Sequence, residues 1–403
     1  MPAAWSSHGR VVLLLWCIAL LWAGVLPFRA HASTPSTEAM PAPAVNADVL
    51  HAIEFLYNGQ FDEAESLILN VIRESPEDPL GHFYLAMVTW SRLSTGFWTK
   101  QMVAQYGERI DRAIAVAREE ARKEKADSTT YLYLGGALGF KGRFELMQRN
   151  WVSSFFLAMD AVEALKTSFR MDPRNREVLL GLGIFDYYTA RLSGAVKFLS
   201  YLLIHRGDKE EGLRKIHTAA EEAVYSSVEA KSVLIHIYLF LEKKYFKALI
   251  LAKELADTFK GSPRYRYLEG VCRIRLGDEV FTGGIVELFR ARASGATTEA
   301  DAALWDNQAL YLEATHHLFH KRYPEARSRL DAILARADPV SDPFMAAWPM
   351  VKMGMSYDIE GNRGEALRWY RRVMELENGA GAQFLAEKYV DEAARSGDPF
   401  LGY

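Results

Sequence analysis

The chain has 403 residues, of which 50% are hydrophobic and 25% are charged, and its formal net charge is −3. This composition is typical of a folded protein, and the length suffices for two or three domains or for one long array of repeats. The charge balance provides no basic excess that would favour a nucleic-acid partner and no acidic tail.

The first segment, residues 1–32, differs in composition from the rest of the chain. Arg10 is followed by VVLLLWCIALLWAGVLPF, which has no charged side chain, and the segment closes on the small-x-small pattern Ala30-His31-Ala32. This layout predicts a secretory signal peptide that is cleaved before Ser33. We therefore expect an exported protein, with the periplasm as the favoured compartment. An uncleaved N-terminal membrane anchor is the alternative.

Residues 33–46 are mostly Pro, Ser, Thr and Ala, which predicts a disordered linker. Cleavage of the leader would leave Cys272 as the single cysteine, so no internal disulfide can form and stability must come from packing. Within LEGVCRIRLG we expect Cys272 to be a buried packing residue and not a nucleophile.

From Ala47 onward, apolar residues recur at helical spacing and the alternation typical of strands is absent. Short polar turns precede an alanine, and large or aliphatic side chains mostly follow four and seven positions later, which predicts a second helix packed on a first. The alanines of four such stretches are Ala64, Ala248, Ala326 and Ala366. The spacing places the starts of six helix pairs near Val45, Pro79, Glu229, Pro263, Asn307 and Ala347.

The stretch MGMSYDIEGNRGEALRWY (353–370) resembles the tetratricopeptide repeat (TPR), a helix–turn–helix of about 34 residues. The residues in register are Gly354, Tyr357, Gly361, Ala366 and Tyr370. The resemblance implies an all-α, TPR-like solenoid of helical hairpins, with about eight units over residues 47–378. A capping helix and tail are expected at 379–403.

Units two to four depart from this period because each carries roughly 15 extra residues between its helices. The extra stretches are LSTGFWTKQMVAQYGE (93–108), FELMQRNWVSSFF (144–156) and ARLSGAVKFLSYLLIHRG (190–207). They could form longer second helices or a separate layer, or pack on one another as additional core.

A second, weaker resemblance covers residues 181–216, with GLGIFDYY, FLSYLL and GDKEEGLRKI. This stretch is similar to part of the tetratricopeptide-repeat-39 family and its relatives, including the yeast inclusion-body clearance protein. The resemblance implies a helical scaffold and supplies no site residues.

The concave face of a TPR superhelix is formed by the first helices of its units, and the inward positions here are mainly apolar. We predict that they bind a partner: Val233, Ile237, Phe240, Tyr267, Val271, Ile274, Tyr311, Leu318, Phe319, Trp348, Val351 and Met355. The expected function is that of an exported scaffold or adaptor for a protein or peptide, which could be membrane-associated. The alternatives are a carrier of a lipid or small hydrophobic ligand in a closed pocket, or burial of this face as core.

No motif predicts catalysis or a cofactor, and we expect a protein that is not an enzyme. The only dense histidine cluster is HHLFH, in which His316 and His320 share a helix face. No third ligand stands nearby in sequence and HExxH is absent, so a structural or surface role is expected and no metal site is predicted.

Overall fold

The computed structural model of the protein describes residues 45–94, 99–148, 150–191 and 207–402, apart from the side chains of residues 300, 301 and 399. The predicted signal peptide and most of the predicted linker lie outside these residues, as do residues 192–206 of the third insertion. No helix of the described segments is long and apolar enough to cross a bilayer.

The described residues form seventeen α-helices and contain no strand, which confirms the all-α prediction. The helices of the first four pairs are α1 (Ala47–Tyr57), α2 (Phe61–Glu74), α3 (Pro79–Ser94), α4 (Lys100–Glu120), α5 (Ser128–Met147), α6 (Trp151–Met171), α7 (Val178–Arg191) and α8 (Lys209–Glu222). The fifth to eighth pairs, or units, are formed by α9 (Ser227–His236), α10 (Tyr245–Thr258), α11 (Pro263–Leu276), α12 (Glu279–Ser294), α13 (Glu299–Phe319), α14 (Tyr323–Leu334), α15 (Pro343–Glu360) and α16 (Arg363–Glu375). The last α-helix is α17 (Ala382–Asp391). A π-helical turn (Ile237–Leu241) extends α9, and a 3₁₀ turn (Pro399–Gly402) is the last described element.

Local sequence explains where these helices begin and end. The side chain of Asn46 accepts a hydrogen bond from the backbone N–H of Val49 and so caps α1, and Asp127 caps α5 in the same way. Pro263 and Pro343 occupy the first turns of α11 and α15, where no intrahelical donor is lost. Gly361 ends α15 with a φ of 92°, a conformation that favours glycine.

One boundary differs from the sequence prediction. Helix α13 begins at Glu299, eight residues before the predicted start near Asn307, because EADAALW is rich in helix-forming residues and continues the helix. The described parts of the first two insertions lie mostly in helices, in agreement with the predicted alternative of longer second helices. Helices α4 and α6 each reach 21 residues, and Tyr106 of α4 packs on Trp90 with 5.4 Å between ring centroids.

The array of units closes back on itself. The N–H of Gly261, between α10 and α11, donates to the side-chain oxygen of Asn58 over 3.3 Å, and the ring of Tyr57 lies 5.3 Å from that of Phe259. These contacts join the first unit to the junction of the fifth and sixth units.

The C-terminal end of the array contacts the second and third units. The indole N–H of Trp348 donates to the carbonyl of Ala380 over 3.1 Å, and Ala380 belongs to the apolar cluster formed by α3 to α6. The ring of Phe384 in α17 lies 5.4 Å from that of Trp151 in α6. These contacts link the C-terminal units directly to the second and third units.

Candidate binding face

The twelve predicted partner-binding residues, which form the predicted inner face, all belong to one apolar cluster. Ten of them are buried: Ile237, Phe240, Tyr267, Val271, Ile274, Tyr311, Leu318, Trp348, Val351 and Met355. Val233 and Phe319 are half-buried and pack against the same cluster. In this conformation the face contacts the rest of the chain, so a partner could reach most of it only after a rearrangement. The role of these twelve residues in partner binding stays a prediction.

Part of this burial comes from the C-terminal 3₁₀ turn. Leu401 is buried in the same cluster as the inner face. The hydroxyl of Tyr267 donates to the carbonyl oxygen of Gly402 over 3.3 Å. The packing is tight, since a Cβ placed on Gly402 would lie 2.9 Å from Cγ1 of Val271. The protein's own C-terminal segment therefore packs against this part of the predicted binding face.

A buried lysine also binds the C-terminal turn. Lys352 is 1% exposed, and its ammonium group donates to the carbonyl of Leu401 over 2.9 Å and to Oγ1 of Thr315 over 2.7 Å. The same group lies 4.4 Å from the ring centroid of Tyr311, a favourable cation–π position. Burial lowers the pKa of Lys352 well below its usual range because the charged form loses its hydration.

Sequence reasoning missed Lys352 and Thr315. One signal was present, since Lys352 is the only charged residue in FMAAWPMVKMGMSY (344–357). A lone lysine in so apolar a helix must either reach solvent or find acceptors inside the protein. The acceptor on Leu401 lies 49 residues away, and no local pattern indicated it.

A shallow cleft opens beside the C-terminal turn. It has a volume of about 260 Å³, including space open to solvent, and its lining includes Phe240, Val271 and Phe319 together with Lys243, Arg275 and Asp398. Because that figure includes open solvent, the enclosed space is far smaller than the roughly 300–1,000 Å³ that is typical of small-molecule pockets. The charged side chains at its rim do not favour an acyl chain, so the cleft gives no support to the lipid-carrier alternative.

The histidine cluster lies at the C-terminal end of α13. His316 and His320 face Glu279, the first residue of α12, and one ligand atom from each of the three lies within 4.8 Å of the others. The carboxylate that was missing from the sequence pattern thus comes from a different helix. Burial, followed by the influence of His320 and His317, lowers the pKa of His316 to about 4, so this ring is neutral near pH 7.

Cys272 is fully buried, as expected for a packing residue. Burial raises the pKa of its thiol to about 12, and the nearby carboxylate of Glu269 adds to this effect. The thiol is therefore protonated at neutral pH and lacks the thiolate character that nucleophilic cysteines need.

Comparison with known families identifies the repeat. A family model of the tetratricopeptide repeat matches residues 49–92, which span most of α1, all of α2 and most of α3. The chain therefore contains a tetratricopeptide repeat over these residues. Comparison with curated protein sequences gives no match. TPR units are typically non-catalytic and generally mediate protein–protein interactions, which suggests a scaffold.

Proposed function

We propose that this TPR protein is a scaffold that binds a protein or peptide partner through its concave face. The observation that supports this proposal is the C-terminal turn, a short peptide segment already bound there by Tyr267 and Lys352 through its backbone carbonyls. Recognition of main-chain carbonyls by fixed donors, with a pocket for one apolar side chain, is a common mode of peptide binding. Leu401 is that side chain here.

In this proposal the C-terminal segment and the partner compete for the same surface. A partner segment would present an apolar side chain in place of Leu401 and carbonyl groups for Lys352 and Tyr267. A large exposed apolar face would favour aggregation. The C-terminal segment would reduce this tendency because it covers part of the face while no partner is bound.

A peptide-binding experiment tests the proposal. A chain that ends at residue 396 keeps α17 and the hydrogen bond from the N–H of Ala394 to Asp358 but lacks the 3₁₀ turn. We expect this chain to bind a fluorescent peptide with the sequence RSGDPFLGY (395–403) at least about tenfold more tightly than the full chain does, as measured by anisotropy.

The matched control is the same peptide with Leu401→Asp, which would bury a carboxylate in an apolar cluster and should not bind. The shortened chain must first give the helical circular dichroism spectrum of the full chain. A folded shortened chain that binds neither peptide, or binds both equally, would contradict the proposal.

We also propose that the protein acts outside the cytoplasm, with the periplasm as the favoured compartment. The support is the signal-peptide pattern of residues 1–32. A membrane-associated partner would be compatible with that location. Intact-mass measurement of the protein from its own cells tests this, since export with cleavage predicts a chain that begins at Ser33. A mass that includes residues 1–32 would instead support the membrane-anchor alternative.

A further inference from the structure

Three side chains with metal-ligating atoms converge where α12 begins and α13 ends. His316 and His320 are one helical turn apart, and their ring centroids are 4.2 Å from each other. Glu279 approaches from α12, with its Oε1 atom 3.2 Å from Nε2 of His320. Two imidazoles and one carboxylate make a donor set that suits divalent transition metals.

The hydrogen bonds of His320 fix its tautomer. Its Nδ1 atom lies 2.8 Å from the carbonyl oxygen of His316, and a carbonyl can only accept, so Nδ1 carries the proton. In the neutral ring the lone pair of Nε2 then faces the carboxylate of Glu279. Metal-ligating histidines commonly have this arrangement, in which the distal nitrogen donates to a carbonyl and the other nitrogen is free to bind.

Two atoms that both carry lone pairs approach each other at 3.2 Å only with a proton or a cation between them. A proton would make the contact a hydrogen bond, and a metal ion would bind to both atoms. Two features favour the metal. His316 adds a third donor, and its Nδ1 atom is buried without a hydrogen-bond partner among the described residues. The histidines also lie at the C-terminal end of α13, where the helix dipole attracts a cation.

We propose that Glu279, His316 and His320 form a binding site for a divalent transition-metal ion of the Zn²⁺ class. Ligand bonds of about 2.0–2.1 Å in a tetrahedral site separate the ligand atoms by about 3.3 Å, and the Glu279–His320 contact already matches this value. The side chain of Glu279 is more than half exposed and can adjust to complete the site. Three protein ligands leave a fourth position for water or for a group from a partner.

Metal binding at this position would join two units of the solenoid. Glu279 belongs to the second helix of the sixth unit, whereas His316 belongs to the first helix of the seventh and His320 directly follows that helix. Phe319, which lies between the two histidines in sequence, lines the cleft beside the C-terminal turn. The site is thus close to the concave face, but its existence does not depend on the proposed scaffold function.

Titration of the full mature chain with Zn²⁺ tests the proposal. We expect one equivalent to bind in isothermal titration calorimetry, and Glu279→Gln, His316→Gln and His320→Gln each to weaken binding at least about tenfold. Co²⁺ bound in place of Zn²⁺ should give the visible absorption of a four-coordinate site, which the same three variants should lose. Glu279→Gln removes an exposed charge and should leave the fold intact, which keeps the test valid if a histidine variant is unstable.

Two histidine variants serve as controls. His317→Gln removes an imidazole that is adjacent to His316 in sequence but is not part of the converging set. His51→Gln removes an exposed imidazole on α1. Both should keep the wild-type affinity and the Co²⁺ spectrum. Absence of saturable binding at stoichiometric Zn²⁺, or equal loss in His317→Gln and His320→Gln, would overturn the site and leave an ordinary Glu279–His320 ion pair.

Discussion

The ammonium group of Lys352 donates a hydrogen bond to the carbonyl oxygen of Leu401 over 2.9 Å, inside the apolar face of the solenoid. Its other contacts among the described residues include the hydroxyl of Thr315 and the ring of Tyr311, which are both uncharged. Burial of a cation among dipoles costs free energy, and these contacts offset only part of that cost. We therefore expect the contact between the lysine and the C-terminal turn to depend on pH.

Lys352 should make the stability of the protein rise with pH above neutrality. Burial lowers its pKa in the folded state below the usual value of 10.5, so between those two pKa values the unfolded chain binds more protons than the folded one. The free energy of unfolding then increases with pH across that window, by at most about 1.4 kcal/mol per pH unit for one group. Urea unfolding at several values between pH 7 and 10 measures it, with Lys352→Met as the comparison. Parallel pH profiles for the two proteins would contradict the prediction.

Tyr267→Phe should loosen the C-terminal turn. The change removes the donor to the Gly402 carbonyl and the contact with Thr315 while leaving the ring in place, at an expected cost of about 1 kcal/mol. Digestion by carboxypeptidase should therefore start sooner than in the wild type. The matched control is Tyr106→Phe, because the Tyr106 hydroxyl is also buried but has no hydrogen-bond partner among the described residues. That variant should show no loss of stability, and equal digestion of both variants would show that the Tyr267 bond does not hold the turn.

Two glycine-to-alanine substitutions should change stability in opposite directions. In α15, a Cβ on Gly354 would lie 2.7 Å from Cδ1 of the buried Tyr370, so Gly354→Ala should destabilise the protein by about 1–3 kcal/mol. In α12, a Cβ on Gly283 would meet no heavy atom within 4 Å, and Gly283→Ala should stabilise the protein by roughly 0.5–1 kcal/mol through helix propensity. Thermal unfolding of both variants tests the pair, and a neutral Gly354→Ala would show that the two helices can separate at little cost.

The sequence predicted the helix pairs because their determinants are local. The small residue at Gly354 and the large one at Tyr370 belong to one unit, and the structure places them in contact. The closure of the array was not predicted, because Tyr57 and Phe259 are 202 residues apart and no periodic pattern connects them. Glu279 was missed for the same reason, since its partners lie on another helix.

The contact between Tyr57 and Phe259 should stabilise the closed array measurably. Their ring centroids are 5.3 Å apart in a tilted arrangement, and such aromatic pairs contribute about 0.5–1.5 kcal/mol beyond their buried area. A double-mutant cycle with Tyr57→Leu and Phe259→Leu, measured by urea unfolding, should give a coupling free energy in that range. A control cycle pairs Tyr57→Leu with Tyr370→Phe in the eighth unit, and these changes should add within about 0.5 kcal/mol because the residues share no partner. Zero coupling for Tyr57 and Phe259 would mean that the first unit does not pack against the junction of the fifth and sixth units in solution, and the concave face would then be open at that edge.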